Sequence, residues 1–100
     1  MTKRRGKLAY IREILYSYYN LLNSENLTEN EKKRIIIVEN VINDIKDKKH
    51  SDDILSLMYF VYHDKYNLSD IAYKLLISER SAYRYNRIIM DLMDKHLNLI

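Results

Sequence analysis

Cysteine and proline are absent from this chain of 100 residues, and glycine occurs once, at Gly6. Without cysteine there is no disulfide, no thiolate zinc site and no thiol nucleophile, a composition that suits a reducing compartment. Hairpins and tight turns lean on glycine and proline, so their scarcity argues against a β-rich fold. No apolar run approaches the roughly 18 residues of a membrane span. The basic start, with Lys3, Arg4, Arg5 and Lys7, is followed by amphipathic spacing rather than the apolar stretch of a secretory signal. The expectation is a cytoplasmic chain with no membrane partner.

What is present is a globular balance. Hydrophobic residues make up 47% and charged residues 31%, too apolar for a disordered chain and enough for one modest core. Net charge is only +3, but it is unevenly spread: residues 1–50 carry 11 basic and 7 acidic side chains, residues 51–100 carry 6 and 7. Any attraction for a polyanion must therefore come from local clustering rather than from the total.

Apolar spacing predicts an all-α fold of about five helices in one domain. Residues 1–6 read as a basic tail, residues 7–49 as an N-terminal helical pair, and residues 51–97 as a three-helix unit. Leu8, Ile11, Leu15, Tyr18 and Leu22 mark the inward face of the first helix, which should end near Asn23. Thr28 and Glu31 form a capping box for the second, with Ile35, Val38, Val41, Ile42 and Ile45 inward and Lys46, Lys48 and Lys49 in its last turn. Ser51 is the expected cap of the third, whose stripe is Ile54, Leu57, Met58, Val61 and Tyr62, ending near Tyr66 and Asn67. Ser69 should cap a short fourth helix with Ile71, Ala72 and Leu75 inward. Leu76 and Ile77 make a turn, and Ser78 caps a fifth helix with Ala82, Tyr85, Ile89, Leu92 and Met93 inward.

The segment from Leu68 to Ile89 is the most informative. Two short helices that cross closely need a small residue at the crossing, which Ala72 supplies. A helix started sharply by Ser78 would offer Glu79, Arg80, Ser81, Tyr83, Arg84 and Arg87 to a major groove. Arginine bonds a guanine edge bidentately, glutamate accepts from cytosine, serine and tyrosine reach phosphates, and the helix start itself attracts phosphate. The expected DNA-binding residues are thus Ser78, Glu79, Arg80, Ser81, Tyr83, Arg84 and Arg87. Such turns usually carry glycine where Leu76 stands, because positive φ is easiest there. Either this turn takes another conformation, or Leu76 is strained or packed against the third helix.

Leu68-Ser-Asp-Ile-Ala, Leu75-x-Ile77-Ser78-Glu-Arg-Ser and Tyr83-Arg84-Tyr85 together resemble the helix-turn-helix of sigma-factor region-four-like domains. The small size and helical N-terminal half resemble phage transcriptional regulators of the ArpU and RinA type. The resemblance covers about forty residues well, from Ile54 to Leu92, and the first half only as a helical pair. It implies a phage or prophage transcription regulator that binds double-stranded DNA in the bacterial cytoplasm, with the helix from Ser78 as the recognition helix.

Other signals weigh less. Lys3, Arg4 and Arg5 read either as a minor-groove arm or as a solvated tail. Lys32, Lys33 and Arg34 read as an exposed face, with phosphate contact as the lesser option. Tyr16, Tyr18, Tyr19, Tyr59, Tyr62 and Tyr66 read as core and rim, or as a homodimer surface suited to palindromic operators. His50, His63 and His96 have no partner at metal-ligand spacing, and neither Asp52-Asp53 nor Asp91 with Asp94 is joined by a nucleophile and an orienting group. No cofactor, metal or enzyme activity is expected. RNA polymerase is a further conceivable partner, and a helical protein-interaction module binding a host factor is the alternative to DNA binding.

Overall fold

The computed structural model describes the backbone of residues 2–98 and the side chains of residues 6–98. These residues form five helices and no strand: α1 (Thr2–Leu21), α2 (Glu29–Lys46), α3 (Ser51–Tyr62), α4 (Leu68–Leu75) and α5 (Glu79–Asn98). None is long and apolar enough to cross a membrane.

α1 departs from the sequence reading at both ends. It begins at Thr2, so the backbone of the expected tail is helical. Lysine and arginine are good helix formers, and the only opposing residue is Gly6, where an added Cβ would meet nothing within 4 Å. The side chains of Lys3, Arg4 and Arg5, and with them the idea of a minor-groove arm, lie outside the described residues. At the other end α1 stops at Leu21, and Leu22, expected inward, is 49% exposed. Ile14, absent from the expected stripe, is fully buried beside Ile11, Leu15 and Tyr18; positions 11, 14, 15 and 18 form one face at helical spacing.

The capping box of α2 is complete. The Glu31 N–H donates to Thr28 Oγ1 at 3.1 Å and the Thr28 N–H to Glu31 Oε1 at 2.9 Å. Ile37, Val38, Val41 and Ile45 are buried, while Ile35 and Ile42 pack at the edge. Lys46 ends the helix, and Lys48 and Lys49 lie beyond it. The five expected inward residues of α3 are all buried, but its cap is not Ser51. His50 precedes the helix in a left-handed conformation with no side-chain cap, and Ser51 is the first helical residue. α3 ends at Tyr62, earlier than its spacing suggested.

Asn67, not Ser69, caps α4: its Oδ1 accepts from the Asp70 N–H at 2.8 Å. Asparagine serves this position as well as serine does, and Asn67 has the extended backbone a cap requires. α4 closes with the Ile77 N–H on the Ala72 carbonyl at 3.0 Å and the Leu76 N–H on the Tyr73 carbonyl at 3.3 Å. This is a Schellman motif, whose left-handed residue is usually glycine and here is Leu76, at φ 57 and ψ 42.

α5 packs against each of the other four helices. Ala82, Tyr85, Ile89 and Met93 are buried, with Leu92 at the edge. Polar contacts fix it from three sides: Tyr62 of α3 to Asn86, Asp44 of α2 to His96, and Lys7 of α1 to Asp94. A helix held on so many sides presents its remaining face rigidly.

Candidate nucleic-acid interface

The face of α5 left open begins at its N-terminus. The Ser81 N–H donates to Ser78 Oγ at 3.0 Å, the Ala82 N–H reaches the Ser78 carbonyl at 3.0 Å, and the Ser78 hydroxyl donates to Ser81 Oγ at 3.0 Å. Ser78 is therefore the cap, and the half-buried Ser81 completes a small closed network with it. In a first turn so built, the leading amide N–H groups face outward without intrahelical partners.

At about 100° per residue, positions 80, 84 and 87 fall on one ridge opposite Ala82, Tyr85 and Ile89. Arg80, Arg84 and Arg87 are all exposed, and among the described residues none of them forms an ion pair. Glu79 and Tyr83 are exposed on the flank of this ridge, Tyr83 at 57%. The Arg84 guanidinium lies 5.7 Å from the centroid of the Tyr85 ring, which limits its wandering.

This arrangement works against the isolated fold. Cations near a helix N-terminus oppose the helix dipole, and like charges three and four residues apart repel. Arg80 with Arg84 and Arg84 with Arg87 stand at those spacings. Each unfavourable term is a few tenths of a kcal/mol, and together they reach about 1 kcal/mol. A bound polyanion would reverse the sign of every one.

Residues outside the expected set border this face. Lys74 of α4 holds its ammonium 5.0 Å from the centroids of both Phe60 and Tyr66. Tyr73 is 85% exposed and Leu76 is 91% exposed. The sequence marked Leu76 through the missing glycine but gave no sign of its exposure. Lys74 was hidden because Phe60 and Tyr66 lie on another element and its loop.

The tyrosines gather elsewhere, between α1 and α3. Tyr19 meets Tyr59 edge-on at 5.3 Å, Tyr16 meets Tyr62 at 5.2 Å, and His63 stacks on Tyr59 at 4.5 Å. Beside them runs an open groove of about 700 Å³, bounded by Glu13, Tyr16, Asn20 and Lys65. Burial pushes the Tyr62 phenol up to about 12 and also raises that of Tyr19. Among the described residues no group of three or more histidine, aspartate or glutamate side chains could hold a metal ion.

No protein-family model, curated protein or solved structure matches the chain.

Proposed function

We propose that this protein is a sequence-specific double-stranded DNA-binding transcription regulator, of phage or prophage type, that inserts the first turns of α5 into the major groove. The observation that carries the reading is the ridge of Arg80, Arg84 and Arg87, exposed and without ion pairs among the described residues, on a helix pinned to every other element. Ser78 starts this helix, Glu79 and Tyr83 flank the ridge, and Ser81 locks the cap. The resemblance to sigma region-four-like helix-turn-helix segments supports the same reading. α1 and α2 would then form a platform for a second copy or for RNA polymerase.

A fluorescence-anisotropy titration against duplex DNA tests this. Binding should weaken linearly with the logarithm of salt, and each arginine that neutralises a phosphate should lower that slope by about 1 when removed. Arg84→Ala should cost about 1–3 kcal/mol if it reads a base. Wild-type binding by both Arg80→Ala and Arg84→Ala would eliminate this docking.

The groove lined by Tyr16, Tyr19 and Tyr62 favours the second reading, a helical protein-interaction module. Absence of duplex binding at low salt, with a stable complex recovered from host lysate, would select it.

A further inference from the structure

Leu76 holds a backbone conformation that glycine adopts freely and a leucine adopts only against steric repulsion. Strained backbone positions of this kind cluster at binding and active sites. Leu76 packs against almost nothing in this chain: it is 91% exposed, while its neighbour Ile77 makes the turn's contact with the core. Tyr73, three residues earlier at the end of α4, is 85% exposed. The turn thus lifts two large, mainly apolar side chains into solvent at the end of α5 that carries Arg80.

The surroundings of these side chains narrow the choice of occupant. Lys74 lies between them with its ammonium over the Phe60 and Tyr66 rings, and the next charged side chains along the chain are Glu79 and then the arginines of the α5 ridge, Arg80, Arg84 and Arg87, which form no ion pair among the described residues. A surface that meets this arginine ridge and Leu76 together is anionic and also offers an apolar group. The major groove of DNA has one such feature, the C5 methyl of thymine, set among phosphates. We infer that Leu76 is a specificity-determining residue that packs on a thymine methyl beside the bases met by the first turn of α5. This rests on the DNA-binding reading above.

The test uses the full chain and a duplex enriched by it from a random-sequence pool. Anisotropy titrations compare that duplex with versions in which thymines are replaced singly by deoxyuridine, which removes only the methyl. For the wild type, one or two replacements should weaken binding about three- to fivefold, the worth of one buried methyl group. For Leu76→Gly the same replacements should change nothing, because the methyl has lost its contact. Circular dichroism checks that this variant is folded; should it not be, Leu76→Asn, which also tolerates the left-handed region, takes its place. A wild type indifferent to every replacement overturns the inference and leaves a protein partner as the occupant of Leu76. Equal losses in wild type and variant overturn it too, since another residue then reads the methyl. In both cases DNA binding itself stands; if no duplex is enriched, both readings fall.

Discussion

The Tyr62 hydroxyl donates a 2.7 Å hydrogen bond to Asn86 Oδ1, joining the last residue of α3 to the middle of α5. Tyr62 is buried and Asn86 half-buried, so this bond replaces water on both groups. It also fixes the rotation of α5 about its own axis, and that rotation decides which way Arg80, Arg84 and Arg87 point. Stability and the direction of the candidate interface therefore share one contact.

Tyr62→Phe should destabilise the protein by about 0.5–1.5 kcal/mol, since it removes the donor and leaves the Asn86 oxygen without it. For a domain of this size the melting temperature should fall by about 4–8 °C per kcal/mol. Urea unfolding of Tyr62→Phe, Asn86→Ala and the double variant checks the assignment. If the two single effects simply add, the hydrogen bond is not the source.

Asp44 provides a prediction in pH. The His96 Nε2 donates to its Oδ2 at 2.6 Å, and chiefly this bond, with the charges of His96, Lys95 and Lys48, holds the carboxyl below its ordinary 3.8. A carboxylate with a depressed folded pKa adds stability that is fully present above the unfolded value and is lost as pH falls through the folded one. Wild-type stability should therefore decline below about pH 4 by a portion that Asp44→Asn lacks. Parallel urea titrations between pH 2 and 6 would reveal it, and identical pH slopes for the two proteins would refute it.

Leu76→Gly should raise stability. A left-handed leucine costs about 1–2 kcal/mol, and the added chain entropy of glycine in the unfolded state offsets about 0.4–1 kcal/mol of the gain. A net increase of roughly 0.5–1 kcal/mol should follow, seen as a melting point a few degrees higher. Leu76→Val should move the other way, because a β-branched side chain fits that conformation worse. A lower melting point for Leu76→Gly would mean that Leu76 is anchored by contacts its exposure does not suggest.

The parts of this fold legible in the sequence are those set by local chemistry. Thr28 and Glu31 announced their capping box because both partners lie within four residues, and the stripe of α3 was plain because its five inward positions follow helical spacing throughout. The cap of α4 was misplaced because Asn67 and Ser69 are both competent, and the choice depends on where Leu68 enters the helix. Leu22 turned outward because α1 ends one residue before it, and no glycine or proline in the sequence marks that end. On the candidate interface, the exposure of the three arginines followed from the burial of Ala82, Tyr85 and Ile89. The placement of Lys74 over Phe60 and Tyr66 did not, since it joins residues from two helices and a loop.

Arg80→Glu should separate folding from binding by moving them in opposite directions. Arg80 stands in the first turn of α5, where a cation opposes the helix dipole, and it repels Arg84 four residues on. Glutamate there favours the dipole and attracts Arg84, for a gain of about 0.5–1 kcal/mol in folding stability. The same change puts a carboxylate where a DNA phosphate or guanine edge would lie, and duplex binding should fall by at least tenfold at low salt. Thermal unfolding and anisotropy on one preparation would measure both effects. A variant that is more stable and binds DNA poorly fits a residue kept for its ligand at the expense of its helix. A variant more stable and unimpaired in binding would mean that Arg80 faces away from the DNA, and the docking would have to turn on α5 toward Arg84 and Arg87 alone.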